Sequence, residues 1–298
     1  MFHVEHFRTL RAGDALDLPN RWLYPRRTSP AIPFLSVAMR KILAVSNQKG
    51  GVGKTTTAIN LAASLALADR SVLLVDVDPQ GNLTSGVGLK VEASKGPTIY
   101  EALMGTAPLP ELSTSVDNMK LVPANRHLAG AEIELVNMES RESRLAQCLA
   151  GVKDKYDYIL IDTPPSLGLL TLNALVAADA VIVPLHCEYF ALEGIADLVA
   201  TIKRVRGSLN PKLDILGVLL TMYDDRTNLG QQVASDIRSF FAEKVFTSVI
   251  PRNIRLGEAP SHGLPVLFYD AKSKGAEAYV SLAREVLSRE ARAAHGAA

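Results

Sequence analysis

The segment KGGVGKTTT (residues 49–57) constrains this chain more than any other feature of its sequence. It lies between an apolar run, KILAVS, and a stretch whose apolar residues recur at helical spacing. Its three glycines let the backbone turn so tightly that several N–H groups converge on one anion, and the following helix adds the positive end of its dipole. Lys54 is placed to reach the β- and γ-phosphates, and the Thr55 hydroxyl to hold Mg²⁺. The segment therefore predicts a site for a nucleoside triphosphate.

From Lys41 onward, short apolar runs alternate with longer stretches of helical period. The short runs are continuous and rich in Val, Ile and Leu, which is typical of strands buried on both faces. This alternation predicts an α/β fold: one domain with a mostly parallel, twisted sheet and helices on both faces. The predicted strands are KILAVS, SVLLVDVD, MKLVPA, YDYILIDTPP, DAVIVPL, LDILGVLLTMY and VFTSVIP. The predicted helices lie in GKTTTAINLAASLALA, EYFALEGIADLVATIKRVRG, NLGQQVASDIRSFFAEK and KGAEAYVSLAREVLSREARA.

The first 39 residues differ from the rest in composition. They contain four prolines, scattered arginines and no sustained periodicity, a composition typical of disorder. We therefore predict a disordered extension at 1–39, a folded domain at 40–292 and a flexible tail at 293–298. Two alternatives stay open for residues 1–38: translated residues upstream of a true start at Met39, or an arm that contacts a partner.

Charge and hydropathy narrow the classes of function. The 298 residues include 32 Lys and Arg against 31 Asp and Glu, a formal net charge of +1. Binding to nucleic acid would therefore depend on a local basic patch. No apolar run approaches the roughly 18 residues of a membrane-spanning helix, and the N-terminus lacks the pattern of a secretory signal. We expect a cytoplasmic protein.

Carboxylates close two of the predicted strands. Asp162 ends the run YDYILIDTPP, which favours a metal-side carboxylate over a turn or cap residue. Asp76 and Asp78 end SVLLVDVDPQGN and share one face, because strand side chains alternate with period two. One of this pair would serve the water shell of the metal and the other would orient an attacking water. The alternative is a solvated strand end followed by a turn.

Four motifs in this order, KGGVGKT, LLVDVDPQGN, YDYILIDTPPSLG and IPRNIRLGEAPSHGLPV, resemble those of the ParA/Soj chromosome-partition ATPases. These ATPases belong to the deviant Walker A group of P-loop NTPases, which includes MinD, and the resemblance runs from about Lys41 to about Arg289. It implies that ATP and Mg²⁺ are the cofactors. It also implies that Lys49, the first lysine of the loop, reaches the phosphates of a second subunit in an ATP-dependent homodimer. The alternative is a solvated surface lysine.

The same resemblance assigns roles to single residues. Asp78 matches the aspartate that orients the hydrolytic water, so its removal should trap an ATP-bound dimer, and Asp76 matches its metal-side companion. Gly50 matches a position where a bulky side chain obstructs the dimer interface. The catalytic residues implied are Lys49, Lys54 and Asp78, and the metal-side residues are Thr55, Asp76 and Asp162. The nucleotide contacts implied are Lys49, Gly50, Gly51, Val52, Gly53, Lys54, Thr55, Thr56, Asp76, Pro251 and Asn253.

The resemblance also implies two macromolecular partners. Arg226 and Arg255 match non-specific contacts to double-stranded DNA, and we expect Arg252, Arg238 and Lys244 to add to their patch. A protein similar to ParB, which recognises a centromere-like DNA site, would stimulate the weak intrinsic hydrolysis. The segment MFHVEH has one possible coding that contains an inverted repeat of that kind, which motivates the upstream-start alternative.

Three other functions share the predicted fold. A MinD-like membrane-positioning ATPase needs an amphipathic C-terminal helix, but the tail SREARAAHGAA offers mainly alanines. An iron–sulfur ATPase needs two suitably placed cysteines, whereas Cys148 lies in a helix-like stretch and Cys187 follows a strand. A metabolite-directed ATPase would turn over without responding to DNA. We predict a ParA-type ATPase that associates with the nucleoid and not with a membrane.

Overall fold

The computed structural model describes residues 40–90, 96–188 and 191–296. Within these residues, seven strands form one sheet. They are β1 (Lys41–Val45), β2 (Val72–Asp76), β3 (Leu112–Ser113), β4 (Met119–Val122), β5 (Tyr158–Asp162), β6 (Ala180–His186) and β7 (Asp214–Thr221). The strand order is β3-β4-β2-β5-β1-β6-β7, and every neighbouring pair is parallel except β3 with β4. The predicted mostly parallel sheet is confirmed.

Helices cover both faces of this sheet. They are α1 (Lys54–Leu67), α2 (Asn82–Gly86), α3 (Ile99–Met104), α4 (Leu128–Glu134), α5 (Arg144–Ala150), α6 (Leu169–Ala177), α7 (Ala191–Ser208), α8 (Asn228–Phe241), α9 (Ile254–Glu258), α10 (Val266–Tyr269) and α11 (Lys274–Gly296). Residues of α3 to α8 form one hydrophobic cluster, and residues of α1, α2, α10 and α11 form the other. The two clusters lie on opposite faces because successive strand side chains alternate between them.

The longest helix, α11, packs directly on α1. Tyr279, Leu282 and Val286 of α11 are almost completely buried. The Tyr279 hydroxyl also lies 3.2 Å from the Thr57 hydroxyl of α1, in a buried hydrogen bond. The helix that follows the glycine-rich loop is therefore supported along its flank by the last helix of the chain.

The predicted strand VFTSVIP is wrong. Residues 245–251 run alongside β7 but make only two isolated bridges within the described part of the chain. The cause is Glu285 of α11, whose carboxylate accepts hydrogen bonds from Thr247 N at 2.8 Å and Ser248 N at 2.9 Å. These N–H groups are therefore unavailable for a continuous ladder. The short antiparallel strand β3 was not predicted, because two residues carry no periodic pattern.

The helix predicted in NLGQQVASDIRSFFAEK is confirmed as α8, but its apolar face is only partly covered. Val233 and Ile237 are buried in the core. Leu229 and Phe240, which share the same helical spacing, are 51% and 70% exposed. Phe240 instead meets the ring of Phe241 edge-on, with the ring centroids 4.8 Å apart.

Two of the predicted boundaries can be compared with the structure. The described residues between 40 and 296 belong to one compact unit, and α11 continues to Gly296, into the segment predicted as a tail. The predicted extension at 1–39 lies outside the described residues. In the described ranges, no helix has the length and apolar content needed to cross a membrane.

Candidate functional site

The glycine-rich loop connects the carboxyl end of β1 to the first turn of α1. Gly51 and Gly53 have φ angles of 72° and 87°, a left-handed conformation that favours glycine over residues with a Cβ. Gly53 caps α1 through its carbonyl, which accepts a hydrogen bond from Thr57 N at 2.8 Å. No side chain caps this helix end. The N–H groups of its first turn are therefore oriented to receive an anion.

Lys54 lies inside the loop. Its ammonium donates a hydrogen bond to the carbonyl oxygen of Lys49 at 3.0 Å, and the residue is only 7% exposed. Burial lowers the pKa of Lys54, while the charges of Asp162 and Asp78 act in the opposite direction. A cation held between the loop and these carboxylates is placed to meet a phosphate chain entering the loop.

The side chain of Asp162, at the carboxyl end of β5, contacts Thr55 in the first turn of α1. The Thr55 hydroxyl donates to Asp162 Oδ2 at 2.7 Å. The other carboxylate oxygen, Oδ1, is buried and has no hydrogen-bond partner. Burial raises the pKa of Asp162 well above its usual value, and the charge of Asp76 adds to this. An orphaned carboxylate oxygen beside a hydroxyl suits a hard cation such as Mg²⁺, which prefers oxygen ligands.

Asp76 lies directly opposite Asp162 in the β2–β5 pairing, and it is fully buried. Its carboxylate accepts hydrogen bonds from Thr84 N at 2.9 Å, Thr84 Oγ1 at 2.6 Å and Asp78 N at 3.2 Å. Burial raises the pKa of Asp76 to about 6, although the Thr84 hydrogen bonds act against it. The two donors of Thr84 tie Asp76 to α2, and its predicted metal role stays a prediction.

Asp78 begins the turn that follows β2. Its carboxylate accepts a hydrogen bond from Gln80 N at 2.9 Å, and its carbonyl accepts one from Gly81 N, also at 2.9 Å. The side chain lies near enough to Lys54 to act on its charge. Asp78 is therefore a turn residue and a neighbour of the loop lysine, but at 6% exposed it is not the solvated residue of the alternative interpretation. Its role in orienting water stays a prediction.

The Lys49 side chain pairs with a residue from outside the loop. Its ammonium donates to Glu188 Oε2 at 2.6 Å, and Glu188 Oε1 is 2.8 Å from Nδ1 of His186. Sequence reasoning missed Glu188 because the two partners are 139 positions apart. The available signal was its place just after β6, whose carboxyl end meets the same sheet edge as β1.

Comparison with known proteins settles the family. A sequence profile described as an AAA domain matches residues 40–215, more than half of the chain. The chromosome partitioning protein ParA of Myxococcus xanthus is 55% identical over 252 residues, which cover 84% of this chain and 89% of that protein. The sporulation initiation inhibitor protein Soj of Bacillus subtilis is 55% identical over 83% of this chain and 98% of its own. The chain belongs to the ParA/Soj family of chromosome-partitioning ATPases.

Solved structures agree with this membership of the ParA/Soj family. Cobyrinic acid a,c-diamide synthase from Mycobacterium smegmatis, with bound ADP and magnesium, is 41% identical with a TM-score of 0.74, covering 84% of this chain and 94% of its own. The cell division ATPase MinD of Pyrococcus furiosus is 28% identical with a TM-score of 0.69, covering 84% and 99%. The fold is that of a P-loop ATPase. ATP and Mg²⁺ fit its loop lysine and its orphaned carboxylate oxygen.

The segment that follows residue 250 contains the two residues predicted to contact adenine. Pro251 bridges to Tyr223, just beyond β7. Asn253 caps α9, with its side chain accepting a hydrogen bond from Arg255 N at 2.9 Å. The structure thus explains Asn253 as a helix cap, and its adenine role, like that of Pro251, stays a prediction.

The arginines matched to DNA contacts in this family each lie near carboxylates. Arg226 is 85% exposed and forms a bidentate pair with Asp224, with both distances 2.8 Å. The hydrogen bond from Arg226 lowers the pKa of Asp224 to about 2, and the charge of Arg252 adds to it. Asp224 therefore pairs with Arg226 and also lies within electrostatic reach of Arg252. Arg255 pairs with Glu258 at 2.7 Å and with Asp270 at 3.2 Å.

Lys244 lies apart from Arg226 along β7, and its predicted contribution to the DNA patch stays a prediction. Its ammonium donates to Asp214 Oδ2 at 2.7 Å, at the amino end of β7. Arg226 follows the carboxyl end of the same strand, which spans eight residues or about 25 Å. Arg238 lies in α8 and lines a surface cavity of about 610 Å³ with Phe246 and Arg289.

Proposed function

We propose that this chain is a DNA-segregation ATPase in which ATP binding drives dimerisation and non-specific DNA binding. One observation carries the proposal: the two lysines of a single loop point to different places. Lys54 lies inside the loop on a backbone carbonyl, whereas the Lys49 side chain pairs with Glu188, a residue from outside the loop. Lys54 would bind the phosphates of the nucleotide in its own loop. Lys49 is therefore available to the phosphates of a second copy.

Each residue of the nucleotide site has its own role in this proposal. The backbone N–H groups of 50–56 bind the phosphates, and Lys54 neutralises their charge. Thr55 and Asp162 would hold Mg²⁺, which when bound offsets charge that develops on the phosphoryl oxygens. Asp78 orients the attacking water. Lys49 of each subunit adds a cation to the other subunit's phosphates, so dimer formation and nucleotide state are linked.

The DNA surface of the proposal consists of Arg226, Arg252 and Arg255. A DNA phosphate would replace Asp224 as the partner of Arg226, with release of counterions from the DNA. No described element has the form of a recognition helix in a helix-turn-helix, so binding would be independent of sequence. The names of the relatives at 55% identity support chromosomal DNA as the cargo. Such binding would place the chain on the nucleoid, and a ParB-like protein would stimulate slow hydrolysis and release it.

The test is DNA co-sedimentation with ATP, with ADP and without nucleotide. Wild type is compared with Asp78→Ala and Arg226→Glu. The matched control is Arg40→Glu, which reverses the charge of another exposed, ion-paired arginine. Arg40 lies at the amino end of β1, whereas Arg226 follows the carboxyl end of β7. We expect binding that needs ATP, strengthens in Asp78→Ala, disappears in Arg226→Glu and persists in Arg40→Glu.

One result would end the proposal. If no nucleotide state binds DNA at low salt, a metabolite-directed or membrane-directed ATPase becomes the better interpretation. Turnover that rises with a small molecule, or binding to anionic vesicles, would then separate these two alternatives.

A further inference from the structure

Glu188 makes two contacts at the mouth of the glycine-rich loop. Its Oε2 accepts a hydrogen bond from the Lys49 ammonium at 2.6 Å, and its Oε1 lies 2.8 Å from Nδ1 of His186. The Lys49 and Glu188 side chains are 38% and 48% exposed. The hydrogen bond from Lys49 lowers the pKa of Glu188, and the nearby charge of Arg252 acts in the same direction.

Both partners of this ion pair stand on fixed backbone. Lys49 N donates to the side-chain oxygen of Asn47 at 3.0 Å, and the Asn47 side chain donates to Pro184 O of β6 at 2.8 Å. Strands β1 and β6 are themselves hydrogen-bonded in the sheet. Lys49 and Glu188 are therefore held close together by neighbouring strand ends, so less backbone freedom is lost than in a pair between two mobile segments.

We propose that Glu188 is a positioning residue that holds Lys49 against its own chain and must release it before Lys49 reaches the phosphates of a second copy. The inference rests on the proposed function, since it concerns the dimer that Lys49 would complete. It goes beyond that function by naming the group that opposes dimer formation.

The expected change in the dimer dissociation constant follows from a competition: the Glu188 carboxylate and the phosphates of the second copy both attract the Lys49 ammonium. An exposed ion pair changes an equilibrium by about 1.4- to 5-fold. A symmetric dimer breaks two such pairs, one on each subunit, so the two factors multiply to about 2- to 30-fold. After release, His186 and Arg252 remain near the Glu188 carboxylate, so it is not left isolated.

The decisive variant is Glu188→Gln, which removes the charge but keeps the shape. Its control is Asp197→Asn, because Asp197 accepts a hydrogen bond from Gln48, the residue before Lys49, at 3.2 Å. Sedimentation velocity in saturating ATP measures the dissociation constant of the dimer. We expect it to fall about 2- to 30-fold in Glu188→Gln and to stay unchanged in Asp197→Asn. Glu188→Gln should have no effect when combined with Lys49→Gln.

A second readout separates positioning from a structural role. Acetylation of the nucleotide-free protein is followed residue by residue by mass spectrometry. Glu188→Gln removes the ion pair that occupies the Lys49 amine, so we expect Lys49 to react about 1.4- to 5-fold faster in that variant while the rate at Lys54 stays constant. A variant that had merely loosened the loop would accelerate both lysines.

The outcomes distinguish this inference from the proposed function. If wild type does not dimerise with ATP, the proposed function fails and the inference falls with it. If wild type dimerises but Glu188→Gln dimerises equally or less tightly, only the inference is overturned. Equal acetylation rates of Lys49 in wild type and Glu188→Gln would also overturn it.

Discussion

At the scale of single residues, two carboxylates dominate the electrostatics of the sheet edge. Asp76 and Asp162 face each other at the ends of β2 and β5, and both are completely buried. Burial raises the pKa of Asp76 to about 6 and that of Asp162 well above its usual value. Near neutral pH the folded, ligand-free protein therefore holds the charge of Asp76 at a cost in free energy that the unfolded chain does not carry.

This cost predicts a pH dependence of stability. A carboxyl group whose pKa is raised by folding stabilises the folded state at low pH, and that contribution is lost as pH rises through the folded value. We expect the difference in free energy of unfolding between wild type and Asp76→Asn to change as pH rises through about 6, with wild type losing stability. Urea unfolding without nucleotide or Mg²⁺ measures it. The exposed Asp117→Asn should parallel wild type, and a parallel curve for Asp76→Asn would contradict the prediction.

The Thr55–Asp162 contact predicts a metal-dependent effect. Thr55→Ala removes the hydroxyl that meets Asp162 Oδ2 at 2.7 Å. We expect the affinity for Mg²⁺-ATP to fall by about 10- to 100-fold, whereas the affinity for ATP in excess chelator changes little. Fluorescent-nucleotide titration with and without EDTA measures both. Equal losses in the two conditions would mean that Thr55 acts on the phosphates and not on the metal.

At the scale of elements, a backbone contact between Gly88 and Gly263 joins the segment after α2 to the segment after α9, the helix that carries Arg255. Gly88 follows α2, whose Thr84 holds the Asp76 carboxylate. Gly263 follows the turn after α9, and a Cβ built on it would lie only 2.5 Å from the Cα of Gly88. Gly263 also has a φ of 67°. The two segments therefore pack backbone against backbone, which leaves no room for a side chain.

This contact predicts the effect of a methyl group. Gly263→Ala combines a strained φ with an overlap, so we expect the free energy of unfolding to fall by about 2–4 kcal/mol. Gly257→Ala in α9 is the matched control, because nothing lies within 4 Å of its Cβ position. Helix propensity should make that variant neutral or more stable, by up to about 1 kcal/mol. Denaturant unfolding of both variants measures the difference, and equal stabilities would contradict the contact.

Individual elements also show where sequence reasoning succeeds and where it stops. The runs that became β1, β2 and β5 are buried on both faces, so their composition alone predicts them. Residues 245–251 carry the same pattern, but the carboxylate of Glu285, about forty positions later, takes two of their N–H groups. Likewise, the glycine-rich motif predicts the place of Lys54, whereas the partner of Lys49 lies 139 positions away. Local pattern contains no information about such distant contacts.

At the scale of the whole molecule, a net charge of +1 means that the proposed DNA binding would depend on a small arginine surface. We expect the logarithm of DNA affinity to fall linearly with the logarithm of salt concentration. Arg226→Gln should reduce this slope by about 1 per subunit, or about 2 for a dimer. Arg40→Gln, at the amino end of β1, should leave the slope unchanged. Fluorescence anisotropy with DNA duplexes of two unrelated sequences measures it, and a sequence-dependent slope would contradict non-specific binding.

The packing of α11 on α1 has a consequence during synthesis of the chain. A ribosome translates the loop and α1 about 220 residues before it reaches α11, an interval of roughly 10–45 s at bacterial elongation rates. Throughout that interval the flank of α1 that Tyr279, Leu282 and Val286 later cover lacks its partner. The nascent chain therefore cannot complete the support of its phosphate loop until translation is nearly finished. If the proposed DNA binding requires a complete phosphate site, it can begin only when synthesis of the chain is nearly finished.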